Sequence, residues 1–381
     1  MKIRTIRTKG NALGRSLGAL VSLFVPIAAL AQGSLTPPGP PAPMMKTLDQ
    51  MEPRTPISSL PCTITSSGSY YLATNLTGAA SEHGIRILAD HVTIDLRGFA
   101  LLGGGGGGAC GIVVSNDHVN LKICNGSIAN WSAQGVLATD ARNSQFEQLR
   151  ISQNGSDGLK AGKGCTITAC VAEGNQGEGI SVLERCLIQN CNSCNNSNGF
   201  KLQGYGGRIS DCVAACNTNC GIVVQGVICS VNNCTATSNG QDGINVFDGC
   251  RIDVCTVIIN GRHGIMTGDG CTVKNCTSNG NSGDGIQVGT TCCWVNGNTA
   301  NGNGSAGIRP AGKSRIDDNL VYWNNVGIIC TLNGTNFVAR NTAHANTVAD
   351  YSIAAGNQDA AVVASPGHGF VNQTPWSNFS Y

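Results

Sequence analysis

The sequence predicts an all-β chain wound into a right-handed parallel β-helix, a solenoid of about 12 coils of ~22 residues each. Three observations carry that prediction. Gly followed by an apolar residue recurs at Gly84, Gly111, Gly135, Gly158, Gly179, Gly199, Gly221, Gly243, Gly264, Gly285, Gly307 and Gly327, at intervals of 27, 24, 23, 21, 20, 22, 22, 21, 21, 22 and 20. After each Gly the apolar residues alternate, as in Ile180-x-Val182, Ile222-x-Val224 and Ile286-x-Val288. This period of two marks a strand with one face inward. Asn stands four residues before the Gly at positions 154, 175, 195, 217, 239, 260, 281 and 303. A leucine-rich repeat shares the period, but its leucine framework is missing.

Each unit supplies two further short strands, such as Cys250-x-Ile252 and Thr256-Val257, so a coil holds three. Composition agrees: 52 Gly, 12% charged and 5% aromatic residues suit short strands and tight turns, not helix bundles. The Asn column is expected at turns, where Asn tolerates a left-handed backbone and its amide can bond to its equivalent one coil away. That predicts an internal asparagine ladder.

Taken from the start, residues 1–31 read as a secretion signal: a basic start (Lys2, Arg4, Arg7, Lys9, Arg15), an apolar run from Leu17 to Leu30, and Ala29-Leu30-Ala31 before Gln32. Cleavage there would remove five cations and no acid, leaving 19 Lys+Arg against 22 Asp+Glu. The slight basicity of the whole chain therefore belongs to the leader, and no basic patch points to nucleic acid. No second apolar run is long enough to span a membrane. Residues 32–47 read as a Pro-rich linker, and residues 48–355 as the β-helix domain, with 48–80 its N-terminal cap. The Gly-rich stretch from 103 to 108 is a loop between coils, lacking the Lys-Ser/Thr of a phosphate loop. Residues 356–381 read as a C-terminal cap or tail.

The Gly-Ile, Cys and Asn columns, with the strand Val92-Thr93-Ile94-Asp95-Leu96-Arg97-Gly98, resemble the secreted bacterial parallel β-helix repeat proteins of the pectate-lyase-like superfamily. The resemblance covers residues 48–355. It implies the fold, and a superfamily that includes polysaccharide lyases, glycoside hydrolases, epimerases, phage tailspikes and proteins without known activity.

Two cysteine columns follow the coil period: Cys165, Cys186, Cys229, Cys250, Cys271, Cys293, and Cys170, Cys191, Cys212, Cys234, Cys255, Cys276. Disulfides, a zinc site around Cys191-x2-Cys194, and small buried apolar residues are the competing readings. The third is preferred, because residues in one column point the same way.

Chemistry is expected on the outer face of the Gly-Ile sheet, in the residue before Gly and the residue after Ile. Two polar clusters emerge. One joins Asp157 and Glu178 with Lys160, Ser181 and Lys201. The other joins Asp242, His263, Asp284 and Arg309 with Asn245 and Gln287. Glycoside hydrolysis needs two carboxyls about 5–5.5 Å or about 6.5–9.5 Å apart; adjacent and alternate coils offer such spacings. Asp242, His263, Asp284 and Arg309 are the candidate catalytic residues. Asp157, Glu178, Lys160, Lys201, Asn245 and Gln287 are the candidate substrate-binding residues. β-Elimination of a uronate would need a cation, and Asp248 and Asp269, one coil apart, could hold calcium. Equally, an Asp before Gly can simply close a turn. The expected function is polysaccharide binding or processing by an exported protein, lyase- or glycosidase-like, at or outside the cell surface. A non-catalytic structural or adhesive surface protein is the alternative.

Overall fold

The alternating strands stack as expected. The computed structural model describes residues 53–331, 334–364 and 374–381; the signal, the linker and the first residues of the cap lie outside them. Every strand pairing among the described residues is parallel, and no helix is present. Fourteen of the fifteen strands of one sheet stack in a single line, from Cys62–Ile64 through Ile222–Val224 to Ala349–Ile353, which makes 13 turns. This is the Gly-Ile sheet. The second and third strands of each coil form two more columns, such as Arg251–Asp253 and Thr256–Ile258. In Lys122–Ala129 and Gln145–Ser152 these two strands are continuous.

Each strand buries alternate residues. Ile222, Ile244, Ile265 and Ile286 are fully buried, and Val224 and Val246 are nearly so. Each such side chain contributes about 1.5–3 kcal/mol by leaving water. Because the register is in phase from coil to coil, equivalent positions stack: Ile222 pairs with Ile244 and Ile244 with Ile265 on the inner face, and Lys201 with Val223, Val223 with Asn245 and Asn245 with Met266 on the outer.

Three turns close each coil, and all three use one device. A residue with left-handed backbone is followed by a small buried residue whose side chain accepts the N–H of its equivalent one coil before. At the third turn this is the predicted ladder: Asn154, Asn175, Asn196, Asn217, Asn239, Asn260, Asn281, Asn303, Asn324 and Asn346, joined by amide bonds of 2.8–3.5 Å. The rung assigned to Asn195 belongs to Asn196. The coil there is one of the shortest, 20 residues from Gly179 to Gly199, and the residue is lost between ladder and Gly. The left-handed conformation also sits one residue earlier than expected, on Gln153, Asn195, Cys216 and Ser238 rather than on the ladder Asn.

The cysteine columns are thiol versions of the same ladder. All twenty cysteines are free. Cys165 N–H donates to Cys186 Sγ at 3.3 Å, and Cys250 N–H to Cys271 Sγ at 3.3 Å. The thiols in turn donate to backbone carbonyls, as Cys186 does to Gly162 O at 3.0 Å. Toward the C-terminus, Asn or Ser takes over. Cys276 N–H donates to Asn298 Oδ1, followed by Asn319, Asn341 and Asn378; Cys293 N–H donates to Ser314 Oγ, followed by Asn336 and Asn357.

The left-handed positions carry a stability prediction. Val254 and Ile259 have φ of 56° and are 50% and 63% exposed, where the same columns elsewhere hold Asn233, Asn275, Gly280 and Gly302. A left-handed backbone costs an L-residue about 1–2 kcal/mol, and a β-branched side chain finds no relief there in burial. Val254→Asn and Ile259→Asn are each expected to stabilise the protein by about 0.5–1 kcal/mol, read as a higher urea midpoint. A fall in midpoint for both would show that the strain is not real.

Both ends are built into the stack. The segment read as a cap builds a coil of its own: Thr55–Ile57 pairs with Gly68–Leu72, and Cys62–Ile64 with Ile85–Ile87. Ile57, Ile64, Leu72 and Leu76 point inward without the Gly-Ile signature. At the other end the last residues return to the stack. Asn378–Ser380 pairs with Thr342–His344, and Tyr351 donates its hydroxyl to Asn341 O and Phe379 O.

Candidate functional site

The outward column of the Gly-Ile sheet lies as the alternation requires. Lys160, Ser181 and Lys201 are in register with one another, and Gln287 with Arg309. Lys160, Lys201, Asn245, Gln287 and Arg309 are partly exposed on this face, whereas Ser181 is buried. The pre-glycine column is only partly open to solvent, with Glu178, Asn198 and His263 half-buried. Asp242 is fully buried, and Asp284, Cys220 and Asp157 nearly so. The reason is local: glycine brings the next coil so close that the preceding side chain folds onto its amide.

Those side chains form a fourth ladder. Asp157 Oδ1 accepts Glu178 N–H at 2.9 Å, Glu178 Oε2 accepts Asn198 N–H at 3.2 Å, and Asn198 Oδ1 accepts Cys220 N–H at 2.9 Å. Further along, Asp242 Oδ1 accepts His263 N–H at 3.2 Å, His263 Nδ1 accepts Asp284 N–H at 3.1 Å, and Asp284 Oδ1 accepts Ala306 N–H at 2.8 Å. The acids are also paired. Arg262 clamps Asp242 through Nε (2.7 Å) and a terminal nitrogen, and Arg309 clamps Asp284 at 2.8 and 3.0 Å. Lys201 Nζ reaches Glu178 at 3.0 Å, while Lys160 stands 3.8 Å from Asp157. Arg262 was not singled out by sequence; its place, one residue before His263, is a turn position in the other coils.

This electrostatics decides what the second cluster can do. Burial would raise the Asp284 carboxyl, but the Arg309 bonds and the Ala306 amide outweigh it and hold the acid below its ordinary value. A general acid needs the opposite shift. Burial lowers His263, and its Nδ1 already accepts an amide proton, so the ring is neutral with its proton on Nε2. The 3.7 Å approach of Nδ1 to Asp284 is therefore proximity, not an ion pair. Asp242, His263, Asp284 and Arg309 are brought together, but as a satisfied network.

The calcium candidates behave alike. Asp248 Oδ1 accepts Asp269 N–H at 2.8 Å, and Asp269 accepts the Thr290 and Thr291 amides at 2.6 and 3.1 Å and the Thr290 hydroxyl. The Thr290 hydroxyl and these amides hold Asp269 below the usual carboxylate range, although desolvation opposes them. Calcium takes 6–8 oxygen ligands. Two carboxylates already turned to amides do not fit it, and among the described residues no group of three or more His, Cys, Asp or Glu is placed to hold a metal.

Between the two clusters lies a groove of about 340 Å³. It is lined by Asn198, Lys201, Asn219, Cys220, Val223, Gln225, Gln241, Asn245 and Phe247. Register places Lys201, Val223 and Asn245 side by side across three coils. Phe247 is 51% exposed at one wall. Sequence reading found Lys201 and Asn245, but missed Asn219, Gln225 and Gln241. They occupy turn and loop places, where amides look like ordinary turn formers. A larger groove of about 790 Å³ follows the Gly-Ile strands of earlier coils; its lining is rich in charge, with Asp140, Asp117 paired to Arg142, and Lys163 and Arg185 reaching to the neighbouring Glu184. It offers no apolar wall comparable to Phe247.

Comparison with known proteins agrees with the architecture. The fold resembles the A-module of the Azotobacter vinelandii mannuronan C-5 epimerase AlgE4, at 13% identity, a TM-score of 0.53, and coverage of 86% of this chain and 89% of that one. The A-module of AlgE6 from the same organism matches at 13% identity and a TM-score of 0.46, over 81% and 90% of the two chains. The catalytic domain of a GH87 alpha-1,3-glucanase in complex with nigerose matches at 14% identity and 0.43, over 80% and 63%. Curated proteins give no match. The right handed beta helix region family matches residues 110–254 and 230–316, the stretch that holds most of the ladder rungs and the groove. This chain therefore belongs to the right-handed β-helix region family.

Proposed function

We propose that this protein binds polysaccharide on the outer face of its Gly-Ile sheet, without cleaving it. The groove at Phe247 carries the reading: carboxamides beside an exposed aromatic wall are the chemistry that recognises sugar hydroxyls and sugar C–H faces. Lys160, Lys201, Asn245, Gln287 and Arg309 flank or continue it along the outward column, giving a chain several sugars long a track parallel to the helix axis. In this reading Asp157, Glu178, Asp242, His263 and Asp284 hold the sheet edge and orient the cations. The four carboxylates are committed to neighbouring amides and cations, so none is left uncommitted to attack or protonate a glycosidic bond. The shared fold with a mannuronan epimerase module is compatible with a polysaccharide ligand. The leader-like residues 1–31 support action at or outside the cell surface.

The test is retention of purified protein in native gels cast with polysaccharides. The wild type is expected to be retarded by at least one glycan without releasing sugar. Phe247→Ala and Gln225→Ala, both at exposed positions, are expected to weaken retention about tenfold with unchanged melting. Equal retention of both variants, or release of reducing ends, would overturn the proposal.

A further inference from the structure

We infer that the glycan held by this groove is uncharged and that polyuronates are disfavoured. The inference rests on the binding reading above and specifies its ligand. It follows from which atoms the groove has left to offer. Lys201 is the cation among the lining residues, and it is bonded to Glu178 at 3.0 Å. Glu178 cannot swing away freely, because Asn198 holds its other oxygen through both N–H and side-chain amide, at 3.2 and 2.8 Å. The adjoining acid, Asp242, is neutralised by Arg262. The ions at the groove therefore cancel in pairs, leaving no free cation to receive a carboxylate.

The amides sharpen the point. A carboxylate only accepts hydrogen bonds, so Asn245 must turn its Nδ2 to Asp242, at 2.8 Å. That leaves Asn245 Oδ1 as the atom presented to a ligand. Likewise Gln241 donates through Nε2 to Asn219 Oδ1 at 3.2 Å, and its Oε1 meets the Cys220 thiol only at 4.0 Å, so that oxygen can still accept from a ligand. Two acceptors with no unpaired cation among the lining residues disfavour a uronate and complement the O–H and N–H donors of neutral or N-acylated sugars. Val223 and Phe247 supply the apolar surface for ring C–H groups or an acyl methyl.

Calorimetry of the full chain with length-matched oligosaccharides tests this. The probes are neutral glucan, galactan and N-acetylhexosamine oligomers, against mannuronan and galacturonan oligomers. At least one neutral oligomer is expected to bind, at least tenfold tighter than either uronate. Its affinity should change less than about twofold between 50 and 500 mM NaCl, because no free charge pair forms. Asn245→Leu is expected to weaken neutral binding about tenfold, with melting as the control for folding; Gln241→Ala provides a second, more exposed variant. Uronates binding tighter than neutral oligomers, or affinity falling steeply with salt, would overturn the inference while leaving the groove a glycan site. Failure of every oligomer to bind, charged or neutral, would overturn the groove reading itself.

Discussion

Gly264→Ala is expected to destabilise the protein by about 4 kcal/mol or prevent folding. None of the twelve glycines that precede an apolar residue has a left-handed backbone, so conformational freedom is not why they are Gly. Space is. A Cβ on Gly264 would lie 2.0 Å from Ser278 Oγ, 2.6 Å from Asn281 Nδ2 and 2.6 Å from Gly285 O. None of these can withdraw cheaply. Ser278 is fully buried and donates to Gly285 O at 2.6 Å, and Asn281 donates to Ser278 Oγ at 3.1 Å and to Asn303 at 2.9 Å. The methyl group must break these bonds or push neighbouring coils apart. As a comparison, Gly302→Ala adds a methyl at a left-handed position with open space and should cost only about 1–2 kcal/mol. The two are compared by urea unfolding followed by far-ultraviolet circular dichroism. An equal loss for both would refute the packing argument.

Asn260→Ala, in the middle of the asparagine ladder, is expected to cost about 3–4 kcal/mol. Asn260 Oδ1 accepts both N–H and Nδ2 of Asn239 at 3.0 Å, and its own Nδ2 donates to Asn281 Oδ1 at 2.9 Å and Ala236 O at 3.2 Å. Alanine leaves the buried Asn239 backbone N–H without its partner, worth about 1–3 kcal/mol, and removes one bond each from Asn239 Nδ2, Asn281 Oδ1 and Ala236 O. Asn301→Ala is the contrast: its Oδ1 has no partner in the fold, so its loss should cost under about 1 kcal/mol. Hydrogen exchange gives a second reading. Protection should fall at Asn239 and its neighbouring coils after Asn260→Ala, because each coil contacts only the next. Unchanged protection there would mean that the ladder does not hold the coils together.

Much of this architecture was legible because a solenoid repeats one set of neighbours. The Gly-Ile interval gave the coil length, the Ile-x-Val alternation gave the inward face, and the Asn interval gave the ladder, since like residues in register must meet. The same arithmetic failed where a coil shortens, at Asn195 and Asn196. It also failed where a segment builds a coil without the signature, as residues 55–77 do. The cysteines were readable as buried columns. Their equivalence to the asparagines was not, because it lies in bonds such as those from the Cys165, Cys170, Cys250 and Cys255 backbone N–H to the thiol one coil on.

The site was less legible. Sequence put Asp242, His263, Asp284 and Arg309 within one neighbourhood, correctly, because they share a column or adjoin it. It could not tell whether the carboxylates point to solvent or to the amides of the next coil. That choice depends on how closely the pre-apolar glycines let the coils approach, and on arginine at position 262 reaching back 20 residues to Asp242. The sequence by itself thus determined the period, the register and the residues each column contains, because nearest-neighbour stacking is written in spacing. Only the tertiary structure decided which polar atoms are spent and which are left to a ligand. Hydrogen-bond commitment is settled by direction and distance in three dimensions, and there the acids turned inward while the amides beside Phe247 stayed on the surface.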